Sequence, residues 1–449
     1  MIIVVGTPAT GRIDRDYIDR YTLGFRRFRE SLHGFDLQTA ATATAIATDT
    51  IEEMARTYAD NGPSSIIIGY GLQRYANGGQ TVRCIDSLAA ITGQVGISGG
   101  GANYANRSIR RRMHPDVLAS EAHAVRRRTF ALPQMGRFIR EAQDPPVDIV
   151  VIAKANPLVQ MPDIESFRKA LAQVPFKVVV DLFMTDTARA ADLVLPGPHV
   201  LEEEDLIYTS MLSPYLNYSR RVVNPPEGVI SEYELFQRLA RTMGLEHYPL
   251  MPPETFLQET ARPLLEKLGL GWEDLQRNAI HIATDDVPWS DGDFATPSGR
   301  YEFYSERAAA DGQAPLPVFT PPAEPEGLYP LRLLTTHYRH SLHSQHFMDR
   351  HERPEVYLNP GEAGQRGITA ASPIRLESPQ GTLDATAVLT PRIPAGVVQI
   401  YQGWWQHSGA VNTLTADTLS DMGENAAYFE TFCRIVPLDA AATPIKEKK

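Results

Sequence analysis

Short apolar runs that stop abruptly constrain this chain more than any other feature. Ser65-Ile66-Ile67-Ile68 runs into Gly69, Asp148 to Ala153 precedes Asn156-Pro157, and Phe176 to Val180 closes on Asp181. Ala191 to Pro196 adds a fourth run. Runs without polar alternation suit strands buried on both faces. Ile164 to Ala172, between the second and third runs, has helical spacing. Strand, helix and strand this close together imply parallel pairing, with functional groups at the carboxyl ends of the strands. The expected class for this part of the chain is α/β.

Other elements are predicted around these strands. Ile13 to Phe28 reads as a surface helix and loop, Thr50 to Tyr58 as a helix, and Val82 to Ile91 as a helix stopped by Thr92-Gly93. Residues 110–145 are charged and lack a clear period. Ser231 to Met243 is a helix, with Ser231 and Glu234 as a capping box and Gly244 as its stop. Residues 245–328 are rich in Pro and Gly and read as a long irregular connector. From Tyr329 the character turns to β, with strands at Leu331–Thr336, Val356–Leu358, Ile374–Glu377, Leu383–Leu389 and Val397–Tyr401. Asn359-Pro360 opens a short helix closed by Gly367, and Ser378-Pro379-Gln380-Gly381 is a hairpin turn.

Composition excludes several functions. The 449 residues carry 43 Lys and Arg against 54 Asp and Glu, a net charge of −11. Phosphate backbones need clustered cations, so a nucleic-acid partner is not expected. The two cysteines, Cys84 and Cys433, are too few for a disulfide framework, a four-cysteine zinc site or an iron–sulfur cluster. No apolar run approaches the ~20 residues that span a bilayer. The Met1 to Gly6 start lacks the basic region of a signal peptide, so a cytoplasmic location is expected.

Several clusters have the chemistry to bind or react. Gly69-Tyr70-Gly71, with Gln73, Arg74 and Asn77-Gly78-Gly79, reads either as a phosphate-cradling turn or as a tight strand–helix turn. Gly99-Gly100-Gly101 marks either close approach to a ligand or backbone, or a flexible loop. Asn156, Asp163, Asp181, Thr185, Thr187 and Asp192 collect near strand ends, where nucleotides bind open α/β sheets, and a carboxylate there suits the donor edge of guanine. Individually each also reads as a cap or turn residue. His337, His340, His343 and His346 recur every third residue, with His351 beyond; ligand contacts or solvated loop histidines fit better than zinc. Glu202-Glu203-Glu204-Asp205 reads as a solvated acidic run starting a helix. A nucleophile elbow is missing.

These stretches, in order, resemble the C-terminal portion of the molybdopterin oxidoreductase (dimethyl sulfoxide reductase) family. Ile18 to Phe25, Gly69 to Gly79 continuing to the triple glycine, and Asn156-Pro157-Leu158 with Pro162-Asp163 all match its pattern. So do Asp181 to Pro196, reading DLFMTDTARAADLVLP, and Tyr357 to Ile368 with Gly381 and Pro394 to Val398. The resemblance implies two incomplete Rossmann-like parallel-sheet lobes followed by a double-psi-type β-barrel. Its expected organisation is 1–108 as the remainder of one lobe and 109–198 as a guanosine-binding lobe. A helical and irregular connector over 199–328, the dinucleotide-binding barrel over 329–440 and a charged tail over 441–449 follow.

The resemblance also implies a bis(molybdopterin guanine dinucleotide) cofactor with molybdenum or tungsten. Asn156, Gln160, Asp181, Thr185 and Asp192 would contact a guanosine and its phosphates. Gly71 and Gln73 are further cofactor candidates, and Thr336, His337, His343 and Asn412 would approach the pterins from the barrel. Arg107 is a candidate for steering a small anionic substrate. Asn106-Arg107-Ser108 replaces the Arg-Gly-Gln of formate dehydrogenases and argues against formate. No metal ligand is identified. The family's N-terminal portion, with its metal ligand and often an iron–sulfur cluster, is expected on a partner polypeptide or a lost segment, and export with such a partner would make the location periplasmic. The alternatives are a non-catalytic subunit and a nicotinamide-dependent dehydrogenase built on the Gly69 turn, which lacks the dinucleotide fingerprint.

Overall fold

A computed structural model describes residues 12–105, 108–114, 116–118, 127–209, 213–246, 248–282, 287–345, 347–350 and 352–438. Arg107, His346, His351 and the 441–449 tail lie outside the described residues. The chain divides into two units, the first formed by Met1–Ala105, Thr284–Ala323 and Leu419–Asn425.

In the first unit, helices Arg15–Tyr21, Phe25–Ser31 and Gly78–Ile91 pack around Ile18, Phe28, Ala90, Ile91 and Phe303. The Phe28 and Phe303 rings stack with centroids 4.8 Å apart. The expected helix at Thr50–Tyr58 spans Thr48–Asp60, and that at Val82–Ile91 starts earlier, at Gly78. Strand Ser65–Ile67 pairs in parallel with Gly101–Asn103. It is not buried on both faces, since Ile67 is 66% exposed. An apolar run signals what a strand must cover, not which partner is present to cover it.

The second unit is formed by Asn106–Ala283, Glu324–Thr418 and Ala426–Lys449. Its first layer runs α1 (Met135–Glu141), β1 (Ile149–Ala153), α2 (Pro157–Gln160), α3 (Ile164–Gln173), β2 (Phe176–Asp181), α4 (Asp186–Arg189) and β3 (Leu193–Pro196). The three strands are parallel in the order β1-β2-β3, as the spacing predicts. Helices α1 to α3 cover one face through Ile139, Leu158, Ile164, Phe167 and Leu171. Ile149 and Val151, on the opposite face of β1, stay 60% and 49% exposed. Burial on both faces therefore holds for the centre of β2 but not for β1.

Beyond β3 the chain continues in a hairpin and three helices. The hairpin of β4 (Asp205–Tyr208) and β5 (Tyr215–Ser219) packs against helices Pro253–Lys267 and Trp272–Arg277, and Asp205 opens a strand rather than a helix. Helix α5 (Glu232–Thr242) has Ser231 Oγ accepting the Glu234 N–H at 3.1 Å. Only this half of the capping box forms, because the Glu234 carboxylate turns to Arg238. Helices α6 (Pro253–Lys267) and α7 (Trp272–Arg277), with β6 (Ile280–His281), order part of the 245–328 stretch that reads as irregular. Leu257, Ala261, Leu264, Leu265, Trp272 and Leu275 give them a core. Pro253 sits harmlessly in the first turn, while Pro263 inside α6 hid the helix from its sequence.

Six strands close the C-terminal barrel: β7 (Leu331–Thr336), β8 (Glu355–Leu358), β9 (Pro373–Glu377), β10 (Thr382–Leu389), β11 (Val397–Tyr401) and β12 (Phe432–Pro437). Helix α8 (Pro360–Gln365) follows β8, with Asn359 Oδ1 accepting the Gly361 N–H as the predicted cap. The circular order is β7-β11-β8-β10-β9-β12, with β7–β11 and β8–β10 parallel. Leu331, Leu333, Val356, Leu358, Ile374, Leu376, Val398 and Ile400 fill its interior on the period of two that strands require. The molecule is thus mixed α/β, with small parallel sheets and a six-stranded mixed barrel.

Candidate functional site

Helix α2 is a single turn, too short to hold itself, and its surroundings hold it instead. Asn156, 3% exposed, precedes it at the carboxyl end of β1. Its Oδ1 accepts the Thr187 N–H at 3.2 Å and hydroxyl at 2.8 Å, joining the β1 and β2 loops. Gln160 bonds back through Oε1 to the Asn156 N–H at 3.2 Å and reaches Ser344 Oγ at 3.3 Å. The Gln160 carbonyl accepts from Asn412 Nδ2 at 2.7 Å and the Tyr428 hydroxyl at 2.8 Å. Gln406 donates to the Leu158 carbonyl at 2.6 Å, and its backbone N–H reaches Asp186 at 3.0 Å. Barrel loops and strand-end loops therefore share one buried polar seam.

Two atoms of that seam have unmet hydrogen-bonding capacity. Asn156 Nδ2 and Asn412 Oδ1 are buried side-chain atoms with no partner. One is a donor and the other an acceptor, and buried polar groups of this kind are rare unless a ligand or water meets them. Asp181 closes β2 nearby in the fold, its Oδ1 accepting the Leu182 N–H at 2.7 Å. Burial pushes the Asp181 carboxyl above its ordinary pKa, against the loop N–H groups of Leu182 and Phe183. Thr185 caps α4 by accepting the Ala188 N–H at 3.1 Å.

Not every expected residue joins them. Asp192 precedes β3 at the opposite, amino end of the sheet, ion-paired to Lys177 at 2.7 Å, which lowers its pKa. Thr336 ends β7 and accepts from Gln399 at 2.7 Å. His337 and His343 meet at the barrel rim with ring centroids 5.4 Å apart. Gly403 has φ +93 there, and a Cβ on it would overlap the His343 carbonyl, so this turn admits only glycine. Among the described residues no group of three or more His, Cys, Asp or Glu could hold a metal ion.

Gly71 and Gln73 belong to the first unit. Gly71 is exposed with open space around it, and Gln73 accepts the Tyr104 hydroxyl at 2.9 Å. At the start of helix Gly78–Ile91, where the sequence leaves a phosphate cradle and a tight turn open, the backbone N–H groups are met by a side chain. Asp421 accepts the Gly79 N–H at 2.7 Å and the Gln80 N–H at 2.9 Å. Within the triple glycine, a Cβ on Gly100 would overlap the Gln94 carbonyl, so the close approach there is to backbone. Ser344, Gln406, Asp421 and Tyr428 were not anticipated, because each bonds to a partner more than a hundred residues away along the chain.

Residues 19–242 match the family model described as "Molybdopterin oxidoreductase", and residues 331–432 match "Molydopterin dinucleotide binding domain". The chain belongs to the molybdopterin oxidoreductase family. It is 32% identical to the probable oxidoreductase YyaE of Bacillus subtilis over 94% of this chain and 64% of that protein. It is 26% identical to the trimethylamine-N-oxide reductase of Haemophilus influenzae over 91% of this chain and 59% of that one. This molybdopterin oxidoreductase chain thus spans just under two thirds of the length of such curated relatives. Acetylene hydratase from Pelobacter acetylenicus has the same fold, with a TM-score of 0.79 at 21% identity over 95% of this chain and 68% of that one. Among the described residues no helix is long and apolar enough to cross a membrane.

Proposed function

We propose that this chain is the molybdopterin guanine dinucleotide-binding part of a molybdenum or tungsten oxidoreductase. The observation that carries the reading is the pair of unpartnered buried amide atoms, Asn156 Nδ2 and Asn412 Oδ1, flanking α2. A guanine offers both an acceptor and N–H donors, so the seam fits such a group. Asp181 supplies a carboxylate for the paired N–H edge, and Thr185 and Gln160 line the same loops. The lobe of residues 109–198 and the barrel of residues 329–440 share the nucleotide in this reading. Thr336, His337 and His343 face the pterins from the barrel rim. When bound, the group supplies two-electron chemistry at its metal, while the protein binds and orients it.

The metal ligand and any iron–sulfur cluster belong, in this reading, to a further N-terminal segment or partner polypeptide. Support comes from the exposed apolar face of β1 and from Phe176 and Leu193, which are 41% exposed each. Such a face is what a completing segment of the sheet would cover. The substrate is a small molecule.

Calorimetric titration with guanosine 5′-monophosphate (GMP) and adenosine 5′-monophosphate (AMP) tests the nucleotide site. The expected result is GMP binding at least about tenfold tighter than AMP, since a carboxylate facing adenine lacks the paired donors. Equal binding of the two, or no GMP binding, overturns the reading.

A further inference from the structure

Gln160 is the last residue of α2, and each of its polar atoms has a protein partner. Its backbone N–H donates to the Asn156 carbonyl at 3.0 Å. Its side-chain Oε1 accepts the Asn156 N–H at 3.2 Å, so the two ends of the turn are tied twice. Its Nε2 donates to the Oγ of Ser344, at 3.3 Å, a buried residue of the loop between β7 and β8. Its carbonyl accepts Asn412 Nδ2 at 2.7 Å and the Tyr428 hydroxyl at 2.8 Å, both from the segment between β11 and β12.

Local structure alone would not hold this arrangement. Helix α2 has four residues, and Pro157 at its start has no N–H to donate. A single turn is far below the length at which a helix sustains itself. The Gln160 amide supplies the fixing that a longer helix takes from its own ladder, and Ser344 pins that amide at its far end.

The two atoms without partners lie on the two residues that Gln160 holds. Asn156 Nδ2 belongs to a residue gripped by Gln160 at both its N–H and its carbonyl. Asn412 Oδ1 belongs to an amide whose nitrogen is bound to the Gln160 carbonyl. One residue thus places an open donor and an open acceptor. A rigid base brings its own acceptor and donors at a fixed spacing, and hydrogen bonds weaken steeply when misaligned.

We infer that Gln160 is a positioning residue for guanine: its side chain fixes Asn156, its carbonyl fixes Asn412, and it thereby sets the spacing of the donor and acceptor that select the base, without touching the nucleotide itself. The inference rests on the proposed guanine site and deepens it.

The test is calorimetric titration of the wild-type chain, Gln160→Met, Gln160→Glu and Ser344→Ala with GMP and with AMP, beside a thermal melt. The two nucleotides share ribose and phosphate, so the ratio of their affinities reports on the base. Methionine keeps the length of the side chain and removes both of its hydrogen bonds. Gln160→Met is expected to lose about tenfold in GMP affinity and little in AMP affinity, so the ratio collapses. Glutamate keeps an acceptor for the Asn156 N–H and lets the Ser344 hydroxyl donate in its turn. Gln160→Glu therefore restores the ratio, whatever its charge does to both nucleotides alike. Ser344→Ala frees the far end of the amide, is expected to lower the ratio about threefold, and carries the test if Gln160→Met does not fold. A merely structural glutamine would lower the melting temperature and leave the ratio in place, and a direct contact to ribose or phosphate would weaken both nucleotides equally. A ratio unchanged in Gln160→Met, or in Ser344→Ala where Gln160→Met does not fold, overturns the inference while the guanine site stands; so does a ratio that Gln160→Glu fails to restore. A wild-type chain that binds no GMP, or binds GMP and AMP equally, overturns the site itself and the inference with it.

Discussion

Asn156 satisfies half of its amide and leaves the other half waiting. Its oxygen is used twice by Thr187, while its nitrogen has no partner. Asn156→Asp keeps the acceptor and replaces the donor, so it separates the two roles. Leaving a buried partner unsatisfied costs about 1–3 kcal/mol, so the variant is expected to stay folded. GMP affinity should drop at least about tenfold, because two acceptors then face each other. Calorimetry with a parallel thermal melt checks both. A second residue-scale prediction concerns Asp86, on helix Gly78–Ile91. Burial pushes its carboxyl from 3.8 up to about 6. The folded state therefore holds the proton more tightly than the unfolded state. Its favourable contribution is complete below pH ~4 and is lost as pH rises through ~6. Asp86→Asn removes that dependence. Urea unfolding should find the variant more stable than wild type by about 2–3 kcal/mol near pH 7.5, with the gain fading toward pH 4.

At the scale of elements, helix Gly78–Ile91 shows how a sequence signal can be right in kind and wrong in occupant. Glycines at a helix start do mark an anion site. The anion is Asp421, more than three hundred residues away along the chain, and Asn77 at the N-cap makes no side-chain cap of its own. No local pattern could name that partner. Asp421→Ala strips two N–H acceptors from the first turn and should lower stability by about 1–2 kcal/mol in denaturant titration. The barrel was the most legible part, because strands that bury one face write their period into the residues. Leu331, Leu333 and Thr335 alternate with Arg332, Leu334 and Thr336, and the burial follows. Strand β12 escaped notice: its role is to close the barrel between β7 and β9, a non-local pairing. Pro263 similarly concealed α6, where tertiary packing of Leu257, Leu264 and Leu265 overrides a poor local propensity.

Across the whole molecule, the family was legible from ordered motifs, whereas the seam that makes a site was not. Asn156 is visible as a polar residue at a strand end, whereas Asn412 is named only through the family resemblance. That both bond to Gln160, and that each keeps an atom unpartnered, depends on how a lobe and a barrel meet within one unit. Asp192 shows the converse: it falls within the most family-like stretch, yet its carboxylate pairs with Lys177 at the far end of the sheet. The exposed faces of Ile149, Val151, Phe176 and Leu193 belong to this scale too. Under the proposed function they are the apolar face that a completing segment would cover. Binding of a guanine-bearing pterin cofactor is what the proposed function requires of this chain. Its most direct test is metal, pterin and nucleotide analysis of protein purified from a cofactor-producing host, both alone and with an N-terminal family segment. The account predicts molybdenum or tungsten together with fluorescent pterin and released GMP in at least the second preparation. Absence of pterin and GMP from both would contradict it.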